Sequence, residues 1–140
     1  MRRDRSQQGF SLLEVMIAFG LLAFGVLGVT AAQIAGMKST RNSRQSSEAM
    51  YLAQRQLELF QSMPGQALTD LIADPSYPND PNNPLDPTPG DGDSTTYNRS
   101  YTLTPNSPET GIFSIAVQVS YTDAQGITRT TSLSGLKADL

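Results

Sequence analysis

A chain of 140 residues with 10 Lys/Arg against 13 Asp/Glu, and with neither cysteine nor histidine, has room for one small domain beside an anchor and none for a large enzyme core. Thiolate and imidazole metal sites, Cys or His nucleophiles and Ser-His-Asp triads are excluded outright. The net charge of −3 is unevenly placed: residues 1–60 carry seven Lys/Arg against four Asp/Glu and residues 61–140 three against nine, so the first part is +3 and the remainder −6.

An acidic second half offers no general footprint for nucleic acid, and the small cluster of Lys38, Arg41 and Arg44 is expected to flank a membrane or support packing instead. At the amino-terminal end, Arg2, Arg3 and Arg5 precede the stretch Gly9-Phe10-Ser11-Leu12-Leu13-Glu14-Val15. Val15 to Met37 then gives 23 residues without a charge, about 35 Å as a helix against a hydrocarbon core of about 30 Å. This segment can span a bilayer. A secretory signal peptide shares the basic start and has a small-residue cleavage candidate at Thr30-Ala31-Ala32. Its apolar region, however, usually runs about 7 to 15 residues, and Glu14 would interrupt its beginning. Basic residues lie on both flanks, so charge alone does not orient the span. Gly20, Gly25, Gly28 and Gly36 weaken the helix locally or allow another helix to approach closely.

No Pro or Gly occurs from Ser39 to Met63, and Met50, Ala53, Leu57 and Phe60 recur at three-four spacing, flanked by Ala49, Leu52 and Leu59. The helix is therefore expected to continue past the membrane with one apolar stripe, Arg44/Glu48 and Arg55/Glu58 pairing weakly on its polar face. Pro64-Gly65 stops it. The result is one helix of about 53 residues, near 80 Å long. Residues 74–93, DPSYPNDPNNPLDPTPGDGD, hold six Pro in twenty positions and read as a turn-rich loop. Asp86, Asp91 and Asp93 invite calcium because hard cations take several carboxylate and carbonyl oxygens, but their spacing fits no EF-hand loop, and a solvated acidic loop without metal is expected.

Phe113, Ile115, Val117, Val119 and Tyr121 alternate with Ser114, Ala116, Gln118, Ser120 and Thr122, a strand with one buried face. Asp123 to Gly126 supplies a turn and Ile127 to Leu133 a second strand, forming an antiparallel hairpin. Arg99 to Thr104 adds a third, ended by Pro105. Three strands with one apolar face need a cover, and the amphipathic half of the helix is the only sizeable surface able to supply it. The expected architecture is α+β: a helical spine with a small antiparallel sheet packed on its outer half.

A short basic leader ending in Gly9, then Phe10, then Glu14 four residues on, then a long apolar helix, resembles the class III signal of type IV pilins and pseudopilins. The helix-loop-sheet order extends the likeness over the whole chain. The carboxy-terminal VSYTDAQGITRTTSLSGLKA is similar to the tail of minor pilins of the pilus-modification, PilV-like kind, and more loosely to the I-type minor pseudopilins of type II secretion. The resemblance implies a pilin-like fold divided into a leader at 1–9, a transmembrane half of the helix at 10–37, an amphipathic half at 38–63, a Pro/Asp-rich loop at 64–96 and the sheet at 97–140. It implies a prepilin peptidase that cuts between Gly9 and Phe10 on the cytoplasmic face and methylates the new amino group of Phe10. Residues 1–9 then lie inside and the sheet in the periplasm. Other major and minor pilins and the inner-membrane assembly machinery are the implied partners.

Glu14 acquires a role on this basis. Inserting a carboxylate near the membrane edge costs about 1 to 3 kcal/mol, which calls for a partner or a function. In the resembled family this glutamate neutralises the terminal amine of a neighbouring subunit as helices bundle. The bland alternative is a side chain that snorkels to the headgroups or is protonated. The chain departs from many major pilins in lacking a cysteine pair, so that no disulfide loop pins the domain, and in lacking a proline in the membrane helix, and this second departure favours a minor subunit. The expected function is that of a minor pilin. A minor pseudopilin of a type II secretion system is one alternative, and a monomeric membrane-anchored binding protein is another. No nucleophile-base pair or phosphate loop is visible, so neither an enzyme activity nor a cofactor is expected.

Overall fold

The computed structural model describes residues 10–90, 94–123 and 125–138. In chain order it contains α1 (Leu12–Ser62), α2 (Gly65–Ile72), β1 (Tyr97–Pro105), β2 (Ile112–Thr122) and β3 (Thr128–Ala138), the α+β, pilin-like order expected. The chain divides into two compact units, one ending at Ser39 and the other beginning at Thr40.

The first unit is the amino-terminal part of α1. It is apolar on all sides, and its large side chains, Phe19, Leu22, Phe24 and Leu27 among them, are exposed. Among the described residues it is the one helix long and apolar enough to cross a membrane. The hydroxyl inside its charge-free run is satisfied internally, with Thr30 Oγ1 donating to the Val26 carbonyl at 2.9 Å, as a bilayer core requires.

In the second unit the remainder of α1 presents Gln45, Ala49, Leu52, Ala53, Gln56, Leu57 and Phe60 as a buried stripe. Met50 and Leu59, expected on the apolar face, are exposed instead. At about 100° per residue they fall on the two margins of the stripe, and the centre belongs to Gln56 as much as to Ala53. Arg44 Nε meets Glu48 Oε1 at 2.8 Å as expected, while Glu48 Oε2 accepts from Tyr97 Oη at 2.6 Å and ties helix to sheet. No Arg55–Glu58 ion pair forms among the described residues.

Beneath the stripe lie the inner faces of β1 (Tyr97, Tyr101, Leu103) and β2 (Phe113, Ile115, Val117, Val119, Tyr121), all buried. The sheet is antiparallel in the order β1-β2-β3. Both registers run unbroken, from Tyr97↔Tyr121 to Pro105↔Phe113 and from Ile112↔Ala138 to Thr122↔Thr128. β3 extends five residues beyond the expected Leu133 because β2 offers partners as far as Ile112. Its Gly135 is required by close approach: a Cβ there would lie 3.1 Å from Leu57 Cδ1 and 3.0 Å from Gln61 Nε2. The β2–β3 turn forms as expected, with Gly126 at φ 79° and Gly126 N–H donating to the Asp123 carbonyl at 2.9 Å.

The segment expected as one long loop from 64 to 96 is corrected in two respects. Residues 65–72 form α2, which starts after an extended Pro64 (φ −62°, ψ 150°) and buries Leu68, with Leu71 and Ile72 half-buried. Leu68, Leu71 and Ile72 carry the three-four spacing of a helix face. The Pro-rich stretch after it is irregular but docked. Leu85 and Tyr97 exchange backbone hydrogen bonds of 2.8 and 2.9 Å, Asp80 N–H donates to the Arg99 carbonyl, and Tyr101 N–H donates to the Pro78 carbonyl. Asp80 is not solvated: it is buried with Arg99, whose Nε donates to Oδ2 at 2.8 Å and whose Nη1 donates to the Leu52 carbonyl. Burial alone would raise the Asp80 carboxyl, but hydrogen bonds from Asn82 and Arg99 and the Arg99 charge hold it below its ordinary value.

Candidate functional site

The amino-terminal turn is built by Ser11 and Glu14. Ser11 Oγ accepts from Leu13 N–H at 3.3 Å and the Ser11 carbonyl accepts from Val15 N–H at 3.2 Å, which makes Ser11 the N-cap of α1. Ser11-Leu12-Leu13-Glu14 has the spacing of a capping box. The S-x-x-E pattern is the sequence signal of this cap, which the family signal built on Gly9, Phe10 and Glu14 does not use. Glu14 sits in the first turn, where the partial positive charge of the helix start favours a carboxylate.

Phe10 and Glu14 are brought together. With Val15, Ala18, Phe19 and Leu22 they line a shallow recess of about 410 Å³, apolar except for the one carboxylate. Helical spacing puts Ala18, Gly25, Gly28 and Ala32 within about 80° of arc that includes Glu14. A Cβ at Gly25 or Gly28 would meet nothing within 4 Å. The carboxylate therefore heads a side of the helix that another helix can approach closely.

Gly9, the expected processing residue before Phe10, lies outside the described residues, as do Asp91 and Asp93. Asp86 is described, and its Oδ1 accepts from Thr88 N–H at 3.1 Å in a local turn. Among the described residues no group of three acidic side chains comes together to hold a metal ion.

On the outer unit a polar recess of about 400 Å³ gathers the hydroxyls of Thr95, Thr96, Ser120, Thr122 and Thr128 beside Arg41 and Asp123. The Asp123 carboxylate is committed to the turn, accepting from Ile127 N–H at 2.9 Å, Gln125 N–H at 3.0 Å and Arg129 Nε at 3.0 Å. The Ile127 hydrogen bond leads the causes that hold it below its ordinary value. A carboxylate so engaged is poorly placed to take a proton from a neighbouring hydroxyl.

Residues 4–30 match the family described as the prokaryotic N-terminal methylation motif. The match encloses Gly9, Phe10 and Glu14 and supports a type IV pilin-like family; the motif indicates a prepilin-type protein, pilin or pseudopilin. It implies processing by a prepilin peptidase and assembly with other pilins. Together with the long apolar helix it is consistent with anchoring in the inner membrane. No curated protein and no solved structure matches the chain.

Proposed function

We propose that the chain is a minor pilin of the PilV-like kind: a structural subunit of a type IV pilus, cut between Gly9 and Phe10, methylated on the new amine and held in the inner membrane with its sheet domain in the periplasm. It is then drawn into the pilus and takes part in assembly, priming or modification. Its role is structural, with no chemical step of its own. The supporting observation is Glu14, exposed in the first turn of a helix with no further charge before Lys38, on the same side as Gly25 and Gly28.

Cleavage would convert the Phe10 nitrogen from an amide to a cationic amine. Where helices bundle out of water, a carboxylate and an amine attract strongly because little solvent screens them. An ion pair between Glu14 of one subunit and Phe10 of the next tolerates few misalignments, so it sets the register as well as adding energy.

Two measurements test this. Intact-mass spectrometry of the protein from membranes is expected to give a chain beginning at Phe10 with one methyl group added, and Gly9→Val to retain the leader. A wild-type protein retaining residues 1–9 would move the assignment to a membrane-anchored binding protein. Immunoblots of sheared pili and membranes are expected to show Glu14→Gln stable and cleaved in the membrane but depleted from pili. Equal incorporation would sink the charge-pairing account. Cleaved wild-type protein absent from pili, in a strain whose secretion fails when the chain is deleted, would assign it to a type II secretion filament.

A further inference from the structure

The two edges of the sheet are finished differently. The β1 edge is closed by the chain itself, through the Asn79↔Ser100 and Leu85↔Tyr97 bridges and through Asn83, whose Oδ1 accepts from Arg99 N–H at 2.8 Å. The β3 edge has no such cover among the described residues. Its backbone direction follows from the registers. Tyr97, Arg99 and Tyr101 turn their N–H groups outward to the docked segment, so the even residues of β1 bond to β2. Carried across both ladders, the odd residues of β3 bond to β2, and Thr130, Ser132, Ser134 and Leu136 direct N–H and C=O away from the sheet.

Natural sheets blunt such edges with proline, bulges, charged side chains or brevity; of these β3 has only two charges near its ends, Arg129 and Lys137, with none on residues 130–136 between them. β3 has eleven unbroken pairs, no proline and short, exposed side chains at three of its outward positions, Thr130, Ser132 and Ser134. We propose that β3 is an acceptor edge for one extended strand of a different protein, carrying carboxylates that meet Arg129 and Lys137.

A second copy fits poorly. Its β1 edge would be closed by its own segment, leaving only β3 against β3. Full two-fold overlap of Thr128–Ala138 sets residues whose numbers sum to 266 opposite one another, so Arg129 would face Lys137 twice. Like charges directly opposite in an antiparallel pair are destabilising. The same two cations favour an acidic strand. Residues 61–140 carry three basic side chains against nine acidic ones, and two of the three are on β3. Arg129 gives Asp123 only its Nε contact, at 3.0 Å, and its side chain remains 55% exposed.

The test uses the full chain in detergent micelles and two synthetic ten-residue peptides of alternating Val and Thr, one with Glu and one with Lys at two positions eight apart. The Glu peptide is expected to slow amide hydrogen exchange at Thr130, Ser132, Ser134 and Leu136 at least tenfold, the Lys peptide much less. Ser132→Pro removes an outward donor without touching the β2–β3 ladder. It is expected to keep the tyrosine near-ultraviolet spectrum and lose the protection. Should that variant fail to fold, Arg129→Gln with Lys137→Gln is expected to fold and to erase the difference between the peptides. The acceptor edge is overturned by absence of protection with the Glu peptide, or by equal protection in folded Ser132→Pro. Equal protection by both peptides overturns the charge assignment. Ser132→Cys mixed with Ser134→Cys, each the only thiol in its chain, overturns the choice of occupant if the two variants are joined by disulfide in high yield.

Discussion

Phe24 and Phe60 lie on one helix about ten turns apart, yet the first is 77% exposed and the second 1%. Around Phe24 every direction is apolar and nothing among the described residues covers it. Around Phe60 a stripe is covered by the sheet, with the Tyr101 ring edge-on at 4.9 Å. A helix apolar all round relies on lipid or on other helices, whereas a helix with a stripe relies on its own chain. The two compact units are thus stabilised from different sources, and substitutions separate them. All five tyrosines lie at or beyond residue 51, so tyrosine near-ultraviolet circular dichroism reports the outer unit alone. Phe60→Ala is expected to cost that unit about 3–5 kcal/mol. Phe24→Ala should leave its melting unchanged, and equal losses would break the distinction.

The next largest effect is electrostatic. Asp80→Ala leaves the Arg99 guanidinium buried without its partner, at a cost of about 3 kcal/mol, and frees the segment that closes the β1 edge. The wild type carries the same sensitivity in its pH profile. Because the folded Asp80 carboxyl is held below its ordinary value of 3.8, the unfolded chain takes up the proton first. The stabilisation is therefore full above that value and is lost as pH falls through the folded one. Asp74, lowered by its hydrogen bonds to Ser76, and Asp123 act in the same direction. The outer unit should melt at a constant temperature from neutrality to about pH 5 and at falling temperatures below about pH 4. A midpoint that rises on acidification would show the pair to be mis-assigned.

Sequence legibility also divides between the units. The apolar run and the period-two alternation of β2 are local patterns, and each forecast its element. α2 was hidden because Pro64-Gly65 marks a helix stop and a new helix start equally well. The docked course of residues 77–85 was hidden because Asp80 and Arg99 are 19 residues apart and Asn83 and Arg99 16 apart. No spacing rule joins them, and the abundance of proline argued for a solvated loop. β3 was cut short because Ser134 and Gly135 break its alternation, and Gly135 makes sense only with Leu57 above it.

That glycine gives the third prediction. Gly135→Ala places a methyl group within 3.1 Å of Leu57 Cδ1. Gln61 is long enough to swing aside, but Leu57 is part of the core, so the helix or strand must shift. A loss of about 1–3 kcal/mol is expected, read as a fall of about 4–8 °C in the tyrosine midpoint for each kcal/mol. Gly28→Ala, with nothing within 4 Å of the new methyl group, should leave that midpoint where it was. Its effect belongs instead to incorporation into pili, where a close helix neighbour would meet the added carbon.

The smallest expected effect bears on the most consequential residue. Glu14 has two physical reasons for its place: it faces the positive end of its own helix beside the Ser11 cap, and it can pair with an amine on another subunit. Ser11→Ala removes the hydroxyl that accepts from Leu13 N–H, costing the first turn about 0.5–1 kcal/mol and leaving the tyrosine signal untouched. Exchange at the Leu13 amide should quicken a few-fold. If Glu14 serves its own helix, Glu14→Gln should quicken exchange in the same turn and lower incorporation into pili no more than Ser11→Ala does. If it serves a neighbour, the Gln variant should lose incorporation while Ser11→Ala keeps it, because a frayed turn can re-form on docking and a missing charge cannot. Measuring both variants for exchange and for incorporation therefore separates a helix cap from an assembly contact at the same side chain.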